Sequence, residues 1–317
     1  MLDILLLFIG FIVLAKCSDW FIENATIVGQ RFGLSQVFLG LTVVAIGTSA
    51  PELSVNLLAT AKNLHELPIG NILGSNLTNI LLVLGIAALI HPVKVLKNTV
   101  KIGLPISLLS ILLVATLAQD KLLLNSSTFE FSRLDGIVLL ACLPLYAYFA
   151  YKTIKPEHPN KQPISNRRLW LSILGIVISI FGLVISADWI VRGALTIVSY
   201  IGLREHLVGF TIVALGTSLP ELATTITAML KRKNELVVGT IVGSNLINIF
   251  LVLGLSALLN PFQIGPKQFY DIVAVAAATG VVILYLTFKK DYVIRRQWGW
   301  TFIMLYLIYQ CWRITIG

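Results

Sequence analysis

Charge is scarce in this chain. Only 12% of its 317 residues are charged while 57% are hydrophobic, and mean hydropathy is +0.88. Soluble domains carry about 25% charged residues, so a water-soluble globular fold is excluded. Cysteine is also rare: Cys17, Cys142 and Cys311 show no pairing or metal spacing and read as free apolar thiols, which removes a disulfide framework and a zinc module. Of the four histidines, His65, His158 and His206 fall in or near loops and His91 ends a helix, with no two at ligand spacing. There is no glycine-rich phosphate loop, which argues against ATP as the energy source. No nucleophile–base or metal-hydrolase constellation points to an enzyme. The N-terminus has Asp3 in place of a basic leader and no small-residue cleavage site after Ala15, so it reads as a retained helix. Asn125-Ser126-Ser127 matches a glycosylation acceptor, too short a pattern to weigh.

What is abundant is apolar sequence in runs long enough to cross a hydrocarbon core of about 30 Å. These predict an all-α polytopic membrane protein with helices near 2–27, 36–61, 68–91, 102–119, 135–151, 170–191, 206–230, 237–260, 269–288 and 298–315. The longest connection, Lys152 to Arg168, contains Pro156, Pro159 and Pro163. It divides the chain into 1–151, a linker 152–168, and 169–317. The net charge of +9 does not imply nucleic acid, because Lys and Arg cluster in short loops between spans.

The two parts are copies. Gly47-Thr48-Ser49-Ala50-Pro51-Glu52 returns as Gly216-Thr217-Ser218-Leu219-Pro220-Glu221, and Gly74-Ser75-Asn76-Leu77 as Gly243-Ser244-Asn245-Leu246. Asp19-Trp20 matches Asp188-Trp189, Asn79 matches Asn248, and Pro92 matches Pro261, all without a gap. Chance similarity between apolar helices would match Leu and Ile rather than Gly, Ser, Asn, Pro and Asp in register. Five helices per copy is an odd number, so the second copy must enter the membrane in the opposite sense. The expectation is ten transmembrane helices as two inverted five-helix repeats with a site at the bilayer midplane. With both termini outside, 17 of the 24 basic residues fall on the cytoplasmic side, as the positive-inside rule requires.

Each phrase carries one carboxylate in an otherwise apolar span: Glu52 is the only ionisable residue between Phe32 and Ala61, and Glu221 between Leu207 and Leu230. A carboxylate at that depth costs roughly 2.5–3.5 kcal/mol on insertion scales, so matched ones point to a bound cation. Pro51 and Pro220 supply no N–H and push on the carbonyl four residues earlier, opening the backbone near Gly47 and Gly216. Thr48 and Glu52 share a helix face, and together with Ser49 and freed carbonyls they form an all-oxygen set suited to a hard cation. On the next helix Asn71, Ser75, Thr78 and Asn79 line one face, echoed by Thr240, Ser244 and Asn248. Ser75, Asn79, Ser244 and Asn248 read as lining or ligating. Gly74, Gly243, Asn76 and Asn245 read equally well as helix-packing residues. Asp19 and Asp188, beside Trp20 and Trp189, are expected near helix ends as anchors or caps.

The paired Gly-Thr-Ser-x-Pro-Glu phrases, each followed by Gly-Ser-Asn-x-x-Asn, resemble the α-repeats of sodium/calcium exchangers in the calcium:cation antiporter superfamily. The resemblance spans nearly the whole chain. It implies a core of helices 2, 3, 7 and 8, with long helices 1 and 6 sliding across it, and Na⁺-driven Ca²⁺ transport. Residue by residue it implies a cation site of Glu52, Glu221, Thr48, Thr217, Ser49, Ser218, Ser75, Ser244, Asn79 and Asn248, with Ala45 and Ala214 offering backbone carbonyls. One departure is Asn248, where some relatives, including the potassium-dependent branch, have aspartate; this puts K⁺ co-transport in doubt. The 17-residue central loop is too short for the calcium-sensing domains of large eukaryotic exchangers, so a compact prokaryotic-type member is expected.

The reading is therefore an inner-membrane antiporter exchanging Na⁺ for Ca²⁺, with no cofactor and no obligate protein partner. A Ca²⁺/H⁺ antiporter of the same superfamily is the alternative, and a passive cation channel a more distant one. The many hydroxyl and amide oxygens favour Na⁺, since a proton needs no such cage.

Overall fold

The computed structural model describes residues 2–61, 67–118, 130–153, 163–201, 215–264, 266–289 and 291–316. Apart from four two-residue strands, the regular structure of these residues is helical. Helix α1 is Leu2–Phe32, and α2 has two limbs, Gln36–Thr48 and Ala50–Ala61, bent by 40°. Helix α3 covers 67–90, α4 Thr99–Leu117, α5 Arg133–Thr153 and α6 Asn166–Ile201. In the second repeat, α7 has the limb Leu219–Leu230, followed by α8 Asn234–Leu259, α9 Pro266–Phe288 and α10 Arg296–Ile316. Six of the helices described here are long and apolar enough to cross a membrane, or seven with the bent α2 counted as one span.

Burial sorts these helices into layers. The apolar windows of α8 and α3 are 94% and 78% buried, whereas those of α1 and α6 are only 28% buried. Helices apolar all round belong in the protein centre, and those with exposed Phe8, Phe11, Phe181 and Ile185 suit a lipid-facing wall. Helices α1 and α6 pack along one another as the most extensive helix pair among those described. At about 1.5 Å per residue both exceed the hydrocarbon thickness, so they tilt or protrude.

That length corrects one expectation. Asp19 and Asp188 do not lie at helix ends but inside α1 and α6, which run beyond the apolar windows 2–27 and 170–191. Their charges are met by bases. Asp19 pairs with Lys231 at 2.5 Å, and Asp188 with Arg192 one turn on at 2.8 Å. Further along α1, Asn24 donates to the Trp20 carbonyl, and Lys233 donates to Thr26 Oγ1 at 2.6 Å.

The repeats interlock through their connections. Strand β1 (Val93–Lys94) pairs antiparallel with β4 (Val293–Ile294), and β2 (Glu130–Phe131) pairs with β3 (Phe262–Gln263). Phe262 stands at the repeat offset from Val93, so both repeats use the same strand for this exchange. The outer helices repeat the pattern, α10 packing on α3 and α5 on α8. Each contact centres on a pair of glycines. A Cβ on Gly299 would lie 2.8 Å from the Gly85 carbonyl oxygen, and one on Gly136 would lie 2.7 Å from that of Gly254. Only bare backbones approach so closely.

A buried polar cluster has no counterpart in the first repeat. Arg313 of α10 donates from Nε to Asp271 Oδ1 of α9 at 3.0 Å and from Nη2 to Oδ2 at 3.2 Å, and Tyr309 donates to the same carboxylate. At the repeat offset, Asp271 and Arg313 correspond to Ile102 and Pro144.

Candidate cation site

The breaks in α2 and α7 place the carboxylates. Ser49 has φ −81°, ψ 8° and Ser218 has φ −85°, ψ 3°, matched departures from helical geometry just before each proline. Glu52 and Glu221 therefore fall in the first turn of a new helical limb, where exposed N–H groups and the helix dipole favour negative charge. Both are fully buried.

Around them the two repeats exchange partners. Ser49 sits beside Glu52 in sequence but donates to Glu221 Oε1 at 3.2 Å. Thr48 Oγ1 lies 3.3 Å from Ser244 Oγ, and Ser75 Oγ lies 3.4 Å from Thr217 Oγ1. Ser75 and Thr217 turn toward Glu52, yet neither oxygen of that carboxylate completes a hydrogen bond. Oε2 of Glu221, Oγ of Ser218, and Oδ1 of Asn79 and of Asn248 also have no partner. A buried acceptor without a donor is costly, and these unpartnered oxygens suit a cation, which takes up their lone pairs directly. Among the described residues no three side chains of His, Cys, Asp or Glu converge, and the atoms left without a partner around the two glutamates are all oxygens.

Of the twelve residues expected at the site, eleven are described and all eleven are buried. The carbonyl of Ala45 already accepts from the Ser49 N–H at 3.0 Å and from the Thr48 hydroxyl at 3.4 Å. Ala214 lies outside the described residues. Helices α3 and α8 both widen to i→i+5 turns, at Thr78–Val83 and Asn248–Leu253, beside the site asparagines.

One neighbour was not anticipated. Asn56, fully buried one turn after Glu52, donates to the Pro68 carbonyl at 3.1 Å and accepts from Asn71 Nδ2 at 2.7 Å. Asn71 Oδ1 in turn accepts from the Thr217 hydroxyl at 3.4 Å. The signal was present as a lone amide four residues past the carboxylate in an apolar run. Its repeat mate is Thr225, whose hydroxyl has no partner.

Fold and chemistry together define a class, a helical membrane transporter rather than an enzyme. The family described as Sodium/calcium exchanger protein matches residues 2–152 and 171–315, and the chain belongs to that family. It is 32% identical to Inner membrane protein YrbG of Escherichia coli (strain K12), across 90% of this chain and 89% of that one. It is 29% identical to Sodium/calcium exchanger MaX1 of Methanosarcina acetivorans, across 97% of each. Among solved structures it is similar to the sodium-calcium exchanger NCX_Mj soaked with 10 mM Na⁺ and zero Ca²⁺, with a TM-score of 0.83, 30% identity and 97% of each chain covered.

Proposed function

We propose that this protein is a secondary active antiporter that exchanges Na⁺ for Ca²⁺ across the inner membrane by alternating access. The observation that carries this reading is the pair of buried glutamates, one from each repeat, set among unpartnered oxygens. Their charge of about −2 is offset by one Ca²⁺ or by two Na⁺. Without cargo the carboxylates repel in a medium of low dielectric, which opposes movement of the empty site and couples the two fluxes. Oxygens from Thr48, Thr217, Ser49, Ser218, Ser75, Ser244, Asn79 and Asn248 replace the water that either ion sheds. Relatives named as sodium/calcium exchangers support the same choice of ions.

The membrane arrangement we propose is ten spans in two inverted repeats, 1–151 and 169–317, with both termini outside and 152–168 in the cytoplasm. Strand pairing supports the alternation of faces along the chain, and the charge count alone supports which face is cytoplasmic. The connections joined by β1 and β4 are both assigned inside, and those joined by β2 and β3 both outside.

The test is Ca²⁺ uptake by purified protein in K⁺-free proteoliposomes with an outward Na⁺ gradient, an outward H⁺ gradient, or neither. Uptake driven by Na⁺ alone is expected. Uptake driven only by H⁺ would establish the proton-coupled alternative, and equal uptake without any gradient would indicate a channel.

A further inference from the structure

Four asparagines meet where α3 crosses α8, and their hydrogen bonds run in a closed reciprocal pattern. Asn76 Nδ2 donates to the backbone carbonyl of Asn245 at 3.2 Å, and Asn245 Nδ2 donates to that of Asn76 at 3.4 Å. The side-chain oxygens left over are used across the repeats. Asn76 Oδ1 accepts from Asn248 Nδ2 at 3.1 Å, and Asn245 Oδ1 accepts from Asn79 Nδ2 at 3.1 Å. All four residues are completely buried.

The direction of every bond in this pattern is forced. A backbone carbonyl can only accept, so each of Asn76 and Asn245 must turn its NH₂ toward the other's main chain. Each therefore shows an oxygen to the next asparagine, which must answer with its own NH₂. That leaves Oδ1 of Asn79 and of Asn248 as the atoms without a partner. Asn79 stands one turn after Ser75, and Asn248 one turn after Ser244, on the faces that meet the glutamates.

From this we infer that Asn76 and Asn245 are positioning residues for the cation site, each acting on the ligand of the opposite repeat. Asn76 fixes the amide of Asn248, and Asn245 fixes the amide of Asn79, so that carbonyl oxygen rather than NH₂ is presented to the ion. An amide turned the other way would place a donor against a cation. Packing between helices is served by the reciprocal Asn76–Asn245 bonds alone; the further bonds to Asn248 and Asn79 set which atom those two amides turn to the site. The inference rests on the cation-site reading given above.

It makes a pairing claim that sequence order would not suggest. Asn76 and Asn79 are neighbours on one helix, yet the functional partner of Asn76 is Asn248. Ca²⁺ binding to purified protein in detergent, measured by equilibrium titration, tests this with double-mutant cycles. Loss of a group that orients a metal ligand typically weakens binding roughly 10–100-fold, and Asn76→Ala and Asn248→Ala are each expected in that range. The double variant N76A/N248A should bind within about twofold of N248A alone, because the oriented amide is already gone. The pair N76A/N79A should multiply instead. If N76A cannot be recovered folded, Asn245→Ala with Asn79→Ala forms the mirror cycle and carries the same expectation. Multiplying effects in the 76/248 and 245/79 cycles would reduce Asn76 and Asn245 to packing residues and overturn the inference alone. Glu52→Gln serves as the control: unchanged Ca²⁺ binding there would overturn the site reading and this inference together.

Discussion

Ser49 stands three residues before Glu52, yet its hydroxyl donates to Glu221 of the other repeat, 3.2 Å away. A site assembled by such exchange has no independent halves. Removing charge from either glutamate should therefore disable the whole of it. Glu52→Gln and Glu221→Gln keep size and one oxygen but lose the charge that offsets dehydration of a divalent ion. Each should abolish Ca²⁺ transport in proteoliposomes while the protein elutes from size exclusion as the wild type does. Normal flux through either well-folded variant would remove that residue from the site.

The glycine contacts between outer and core helices predict a contrast in stability. A methyl at Gly136 meets the Gly254 carbonyl and the Leu258 amide, both at 2.7 Å, so backbone must move. Gly136→Ala should cost about 1–3 kcal/mol, the range for overpacking. At Gly280 nothing lies within 4 Å of an added Cβ, and Gly280→Ala should be neutral or gain up to about 1 kcal/mol in helix propensity. Thermal unfolding in detergent compares the two, and equal midpoints would contradict the close approach of α5 and α8.

The ion pair between α9 and α10 should behave as a buried one, since its side chains are only 9% and 5% exposed. Asp271→Leu alone takes from the buried Arg313 the carboxylate that both its Nε and Nη2 donate to, and should cost about 3–5 kcal/mol. Adding Arg313→Leu should recover most of that loss. By contrast Asp19, 54% exposed, pairs with Lys231 where solvent screens it, and Asp19→Asn should cost no more than about 1 kcal/mol. Guanidinium or thermal titrations of the single and double variants distinguish these outcomes.

Orientation is open to direct labelling. Lys97 and Arg133 are both exposed, on connections assigned to opposite faces of the membrane. In a background lacking Cys17, Cys142 and Cys311, a cysteine replacing Arg133 should react with an impermeant thiol reagent in intact cells. One replacing Lys97 should react only after lysis. The reverse pattern would invert the assignment of both termini.

Much of this architecture is written in the order of residues, for identifiable reasons. Pro51 and Pro220 act locally, through their own missing N–H, and the breaks occur beside them as the phrase predicts. The buried faces of α3 and α8 follow from Asn and Ser recurring at helical spacing. Partner choice is different, because it depends on how the repeats cross. Nothing in the sequence says that Ser49 serves Glu221 or that Asn245 serves Asn79. Helices α1 and α6 run past the apolar windows 2–27 and 170–191, because hydropathy marks the stretch inside the bilayer and not where the backbone stops coiling. Asp271 and Arg313 stand 42 residues apart, each looking like an ordinary polar residue near a helix end until α9 and α10 bring them together.

The short strands carry a consequence for how the chain reaches its final form. Val93 waits for Ile294 and Phe131 for Phe262, so the first repeat emerges from the ribosome with both of its edges unsealed. The groove beside Gly85 also stays open until α10, which follows the other described helices in the chain, arrives to fill it. Closure of long loops comes late in folding because its entropy must be met before the contacts form. A chain truncated before Arg296 retains both strand partners yet leaves the groove beside Gly85 unfilled.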